Sequence, residues 1–131
     1  MKRIIILLFI CFSVSSYAQI YRYRASSLAI GERTYSGNIA WGEWTPCNVI
    51  ITINFDKDFI KVYSQRTQNY VIVSVGESYH DYKGGESVDM TAIDEEGIEC
   101  SMCLRVQSDG VAQLYSYYSN IAWVYSDLEK L

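Results

Sequence analysis

Apolar and polar residues alternate with a period of two along most of the chain, and no long apolar stripe of helical period accompanies them. Ile20 to Ile30 sets Tyr21, Tyr23 and Ala25 against Arg22 and Arg24. From Asn48, the residues Val49, Ile51, Ile53 and Phe55 share one face. Phe59 to Ser64 returns after Asp56-Lys57-Asp58, a turn signal because Asp can bond its own backbone there. Tyr70 to Val75 is rich in β-branched residues, and Tyr79 to Lys83 predicts a short strand before Gly84-Gly85. Ser87 to Ile93, Ile98 to Gln107, Val111 to Tyr118 and Ile121 to Tyr125 continue the series. Asp94-Glu95-Glu96-Gly97 and Ser108-Asp109-Gly110 punctuate it, Asp-Gly being a strong hairpin dipeptide. Gly31 to Trp44 carries no clear element signal.

Eight or nine short strands joined mostly by tight turns predict an all-β antiparallel meander, since tight turns join antiparallel neighbours. The expected form is a small up-and-down barrel or half-barrel of calycin-like shape. Closure would remove exposed sheet edges, which invite aggregation. A two-sheet β-sandwich is the alternative.

The first residues, MKRIIILLFICFSVSSYAQ, change the picture of the domain. Lys2 and Arg3 precede an apolar run from Ile4 to Val14, and Ser16-Tyr17-Ala18 is a small-x-small cleavage signal before Gln19. The run is about half of the roughly 20 residues a spanning helix needs. Residues 1–18 therefore read as a signal peptide cut between Ala18 and Gln19, and residues 19–131 as a single antiparallel β domain. Cys11 follows Ile10, not a small residue, which argues against lipoprotein-type processing. The expectation is export to the periplasm or the extracellular space, with no membrane span in the mature chain.

Without Lys2 and Arg3, nine basic residues face 15 acidic ones. An acidic chain with no Lys/Arg cluster lacks the footprint that nucleic-acid phosphates require. Nucleic acid is therefore not an expected partner.

Cys100 and Cys103 form a C-x-x-C. Strand parity places Ile98, Cys100, Met102, Leu104 and Val106 on an inward face and Cys103 on the outward one. Residues three apart on a strand are about 10 Å apart, whereas a disulfide needs Cα atoms within about 7 Å. A redox C-x-x-C also needs a helix N-terminus, and no helix pattern follows. Cys47 shares the face of Val49 and Ile51, so Cys47–Cys100 is the candidate disulfide in an oxidising compartment. Two reduced core thiols are the rival reading. Cys103 is the candidate free thiol.

Other chemistry is sparse. His80, the only histidine, stands beside Asp81 near a Gly-Gly turn and reads as a surface residue. No G-x-S-x-G, H-E-x-x-H or paired His ligands are present. Asp94, Glu95, Glu96 and Glu99 match no EF-hand loop and read as a solvated hairpin tip. No catalytic constellation, metal site or cofactor is expected, and the chain is not read as an enzyme.

The aromatic residues are the remaining signal. Beyond Tyr17 the chain has 11 Tyr and 3 Trp, with Phe55 and Phe59 as its only Phe. Tyr couples an apolar body to a polar tip and suits strands with one wet face. Trp41, Trp44, Tyr115 and Tyr117 are the candidate ligand-binding residues. The expected occupants are a small apolar molecule or a sugar at a barrel end or on an aromatic outer face.

Gly42-Glu43-Trp44 is a G-x-W and resembles the N-terminal mark of lipocalins, which implies a Trp packed across a barrel floor near an Arg of the last strand. Here the last Arg is Arg105, well before the final strands. The stretches INFDKDFIKVYSQRTQNY and DEEGIECSMCLRVQSDGVAQLYSYYSNIAWVY resemble small signal-peptide-bearing all-β proteins of gut Bacteroidota. That resemblance implies export and adds no catalytic residue. The reading is an exported barrel-like binding protein. A protein–protein interaction or inhibitor module with an exposed Tyr/Trp patch is the alternative.

Overall fold

The computed structural model describes residues 20–131, and within them every regular element is a β-strand. In chain order these are β1 (Ile20–Arg33), β2 (Ile39–Trp41), β3 (Thr45–Asn54), β4 (Phe59–Tyr63) and β5 (Gln68–Val75). They are followed by β6 (Tyr79–His80), β7 (Glu86–Ile93), β8 (Glu99–Val106), β9 (Ala112–Tyr117) and β10 (Ile121–Lys130). The expected cleavage site, Ala18 and Gln19, lies outside the described residues.

Eight of these strands close a barrel. The hydrogen-bonded order is β10-β9-β8-β7-β5-β4-β3-β1, every pairing is antiparallel, and β10 pairs back onto β1. Trp123 faces Ile30 and Tyr125 faces Leu28 across that seam. The meander is a closed barrel, not a sandwich. β2 and β6 are short ribbons that pair with β1 and β7 outside the closed path.

Four hairpin turns repeat one hydrogen-bond design. The N–H of Gly37, Gly84, Gly97 and Gly110 donates to the carbonyl three residues earlier, in Thr34, Asp81, Asp94 and Gln107. Each of those four residues donates its own N–H to the carbonyl four residues later. This is a tight turn ending in a left-handed residue, the three-residue hairpin loop. At Gly97 the φ is 82°, which a side chain would resist. Asp94 Oδ1 locks that turn by accepting the N–H of Glu96 and of Ile98, each at 2.9 Å.

Alternate residues point inward and meet as one core. Ile51, Ile53, Ile60, Leu114 and Met102 are essentially inaccessible, and Tyr70, Ile72, Met90 and Cys100 join them. Fully burying each large side chain contributes about 1.5–3 kcal/mol. An eight-stranded barrel has an interior about wide enough for such side chains to fill.

Three bulges alter the parity. One lies between Ala25 and Ser27, so the inward series passes from Tyr21, Tyr23 and Ala25 to Leu28. A second lies between Ala112 and Leu114, and a third between Ile72 and Ser74 turns Ser74 outward opposite Thr91. Gly31 to Trp44, silent in the sequence pattern, extends β1 to Arg33 and folds back as β2. A Cβ on Gly31 would stand 2.5 Å from Ile39 Cγ2 and 3.0 Å from the Trp41 ring. Glycine lets β2 close onto β1 and carries Trp41 against the wall.

The Cys47–Cys100 disulfide is not formed: Cys47, Cys100 and Cys103 are all free thiols. The physical reason is the strand order. Cys47 is on β3 and Cys100 on β8, four strands apart by either route around the barrel. Opposite walls of such a barrel exceed the Cα separation that a disulfide tolerates. Cys47 instead donates to the carbonyl of Ala25 at 3.6 Å. Cys100 is buried in the core, as its parity requires. Among the described residues no helix is long and apolar enough to cross a membrane.

Candidate functional site on the outer wall

The outward positions of β5, β7, β8 and β9 form a continuous surface. The register sets Ser74 opposite Thr91, Thr91 opposite Ser101, and Ser101 opposite Tyr117. One residue pair higher, Asp89 stands opposite Cys103 and Cys103 opposite Tyr115. Higher still, Ser87 stands opposite Arg105 and Arg105 opposite Gln113. A groove of about 410 Å³ runs over this surface, lined by Ser74, Asp89, Thr91, Ser101, Cys103 and Tyr117 together with Gly76, Met90 and Met102. That volume falls within the range of about 300–1,000 Å³ usual for small-molecule sites.

An aromatic row leads into the groove. Tyr115 and Tyr117, two residues apart on one face of β9, hold their rings parallel within 2° at a centroid separation of 5.8 Å. Trp41 meets Tyr115 edge-on at 5.9 Å and 67°. Tyr79 of β6 lies near the same cluster and donates its hydroxyl to Asp89 Oδ1 at 3.3 Å.

Polar side chains fix this row in place. Gln113 is 4% exposed although it faces outward. Its Oε1 accepts the hydroxyl of Tyr115 at 2.8 Å and Gln107 Nε2 at 3.0 Å. Its Nε2 donates to Ser126 Oγ at 3.1 Å. Above the groove, Arg105 Nε donates to Asp81 Oδ2 at 2.6 Å, in the turn that ends β6. Asp81 Oδ1 also accepts the N–H of Gly85 and of Lys83. Arg105 and these N–H groups hold the Asp81 carboxyl well below the usual carboxylate range.

Burial, followed by the neighbouring Asp89, pushes the Cys103 thiol up to about 11. Burial and the adjoining Tyr115, Cys103 and Asp89 push the Tyr117 hydroxyl up to about 12. At neutral pH both groups are protonated. The thiol is not the activated thiolate of a nucleophile. The wall presents hydroxyls, a carboxylate and aromatic faces, which suits recognition.

Three of the four candidate ligand residues thus come together: Trp41, Tyr115 and Tyr117. Trp44 does not take part in the row and is 53% exposed just before β3. His80 is exposed on β6, and Glu95, Glu96 and Glu99 are exposed around the β7–β8 turn. No protein-family model matches the chain, and no curated protein or solved structure matches it.

Ser74, Asp89, Thr91 and Ser101 escaped sequence reasoning. Asp89, Thr91 and Ser101 are small polar residues at outward strand positions, which is the ordinary pattern of a wetted sheet, and Ser74 shares inward Ile72's parity and reaches the outer face only through the bulge between them. Only the lateral order of four strands brings them together under Tyr117.

Proposed function

We propose that this chain is an exported, non-catalytic binding protein whose ligand occupies the outside of the barrel wall. The observation that carries this reading is the groove of about 410 Å³ flanked by the Trp41–Tyr115–Tyr117 row. The core cluster assigns the interior to packing, and the outward face supplies convergent polar groups beside aromatic surface. Hydrogen bonds restrain Tyr115 and Tyr79 before any ligand arrives, which lowers the ordering cost of binding. Export rests on the n-region, apolar run and Ser16-Tyr17-Ala18 signal of the leader.

Native mass spectrometry of the protein purified from its own host tests this reading. A small-molecule adduct is expected, and the Ser101→Tyr variant, which fills the groove from an exposed position, should lose it. A clean apo mass over several preparations overturns the reading. A protein partner is the competing occupant, favoured by the exposure of Trp41 and Tyr79. It would appear in the same spectra as a macromolecular adduct. N-terminal sequencing of that material is expected to begin at Gln19.

A further inference from the structure

The chemistry of the groove selects a class of ligand, and this step rests on the outer-wall site proposed above. Four lining residues carry hydroxyls: Ser74, Thr91, Ser101 and Tyr117. None of these hydroxyls has a side-chain hydrogen-bond partner among the described residues. Tyr117 is half-buried, so its unpartnered hydroxyl and its ring edge one side of the groove. Asp89 supplies the one carboxylate of the lining and uses Oδ1 for Tyr79. No lysine, arginine or histidine lines the groove. The nearest guanidinium, Arg105, is committed to Asp81 at 2.6 Å.

A phosphate or carboxylate ligand would face Asp89 with no cation to offset it, in a chain of net charge −4. A wholly apolar ligand would desolvate three aliphatic hydroxyls and a carboxylate without replacing their hydrogen bonds. An uncharged, polyhydroxylated ring with one face of C–H groups meets both demands. Its apolar face lies on an aromatic ring, and its edge hydroxyls exchange bonds with Ser, Thr and Asp side chains. We propose that the outer-wall groove binds a neutral carbohydrate, with a sugar ring on Tyr117 and its hydroxyls on Asp89, Thr91 and Ser101. Tyr115 stacks parallel to Tyr117 and Trp41 meets Tyr115 edge-on, so the row backs and orients the Tyr117 ring at the side of the groove.

The test is a titration of isotope-labelled protein with neutral β-glucan, α-glucan, xylan and mannan oligosaccharides, with choline chloride as a cationic probe. The expected result is saturable shifts of the Ser74, Asp89, Thr91, Ser101 and Cys103 amides with at least one oligosaccharide. Tyr117→Ala should weaken that binding about tenfold or more. Ser101→Tyr should block it while leaving amides on the far wall unmoved, which covers the case in which Tyr117→Ala does not fold. Groove shifts with choline but with no oligosaccharide overturn the carbohydrate assignment and leave the outer-wall site standing. So does a host-derived non-sugar adduct that Ser101→Tyr removes. Silence of the groove to every probe, together with a clean apo mass, overturns the site itself.

Discussion

Arg105 and Asp81 are joined across the outside of the barrel by two hydrogen bonds, Nε to Oδ2 at 2.6 Å and Nη2 to Oδ1 at 3.3 Å. Only about 15% of each side chain is exposed. The pair ties the turn after β6 to β8 just above the groove. Arg105 holds the Asp81 carboxyl well below its ordinary value. The stability this supplies is present above the unfolded carboxyl's value of about 4 and is lost as pH falls through the lower folded value. Arg105→Met should lower the thermal midpoint at neutral pH and flatten the acid limb of the stability curve. Asp81→Asn should do the same, with a double variant little worse than either single one. Additive losses in a double-mutant cycle would show that the two residues act separately.

Thiol chemistry should follow burial. Cys47, Cys100 and Cys103 are free, so each should alkylate after unfolding without reductant, as read by peptide mass spectrometry. In the folded protein, Cys103 should react slowly near neutral pH and accelerate only as pH approaches about 11. An ordinary thiol ionises near 9, so the favourable burial of this one is present below that value. It declines as pH rises towards about 11. Rapid labelling of Cys103 at neutral pH would contradict this account.

The inward face of β9 offers a contrast between two neighbours. Leu114 is inaccessible, and Leu114→Ala should cost about 2–5 kcal/mol in denaturant unfolding. Ser116 is 1% exposed, and its hydroxyl has no hydrogen-bond partner among the described residues. Removing such a group relieves desolvation while creating little space. Ser116→Ala should leave stability unchanged or raise it by up to about 1 kcal/mol. A loss comparable with that of Leu114→Ala would disprove this.

Gly31→Ala tests how the aromatic row is held. The added methyl would stand 2.5 Å from Ile39 Cγ2, forcing β2 and Trp41 off the wall. A cost of about 1–3 kcal/mol is expected from overpacking. Near-ultraviolet dichroism should change with it, as the Trp41–Tyr115 edge contact opens. An unchanged aromatic spectrum would mean that Trp41 is placed by something other than the close β1–β2 approach.

Most of the fold was legible because strand parity is a local property. Val49, Ile51 and Ile53 alternate in the sequence and are buried in the core, and the Gly97 and Gly110 turns fall where Asp and Gly cluster. β2 was not legible, since three residues carry no period and depend on Gly31 leaving room for Ile39. The outward aromatics Tyr115 and Tyr117 could be named from composition and position. Their partners in the groove could not, because three strands separate Ser74 from Tyr117 in the chain and the two line one groove only through the ordering β5-β7-β8-β9. The cysteine expectation failed for a related reason. Parity correctly sent Cys47 and Cys100 inward, but only the count of strands around the ring puts them on opposite walls.

The seam between β10 and β1 determines when this molecule can become itself. Ser27 and Asp127 share a hydrogen bond at 3.1 Å across 100 positions of chain. Until the last strand arrives, β1 has a bare edge where β10 will pair, and the inward residues of both strands lack their cover. Contacts so remote in sequence make for slow folding, because the loop must be closed before it is rewarded. A chain without β10 therefore cannot close the ring, and the edge of β1 stays unpaired. Its completion is a late, single event that a truncation within Ile121–Lys130 would forfeit.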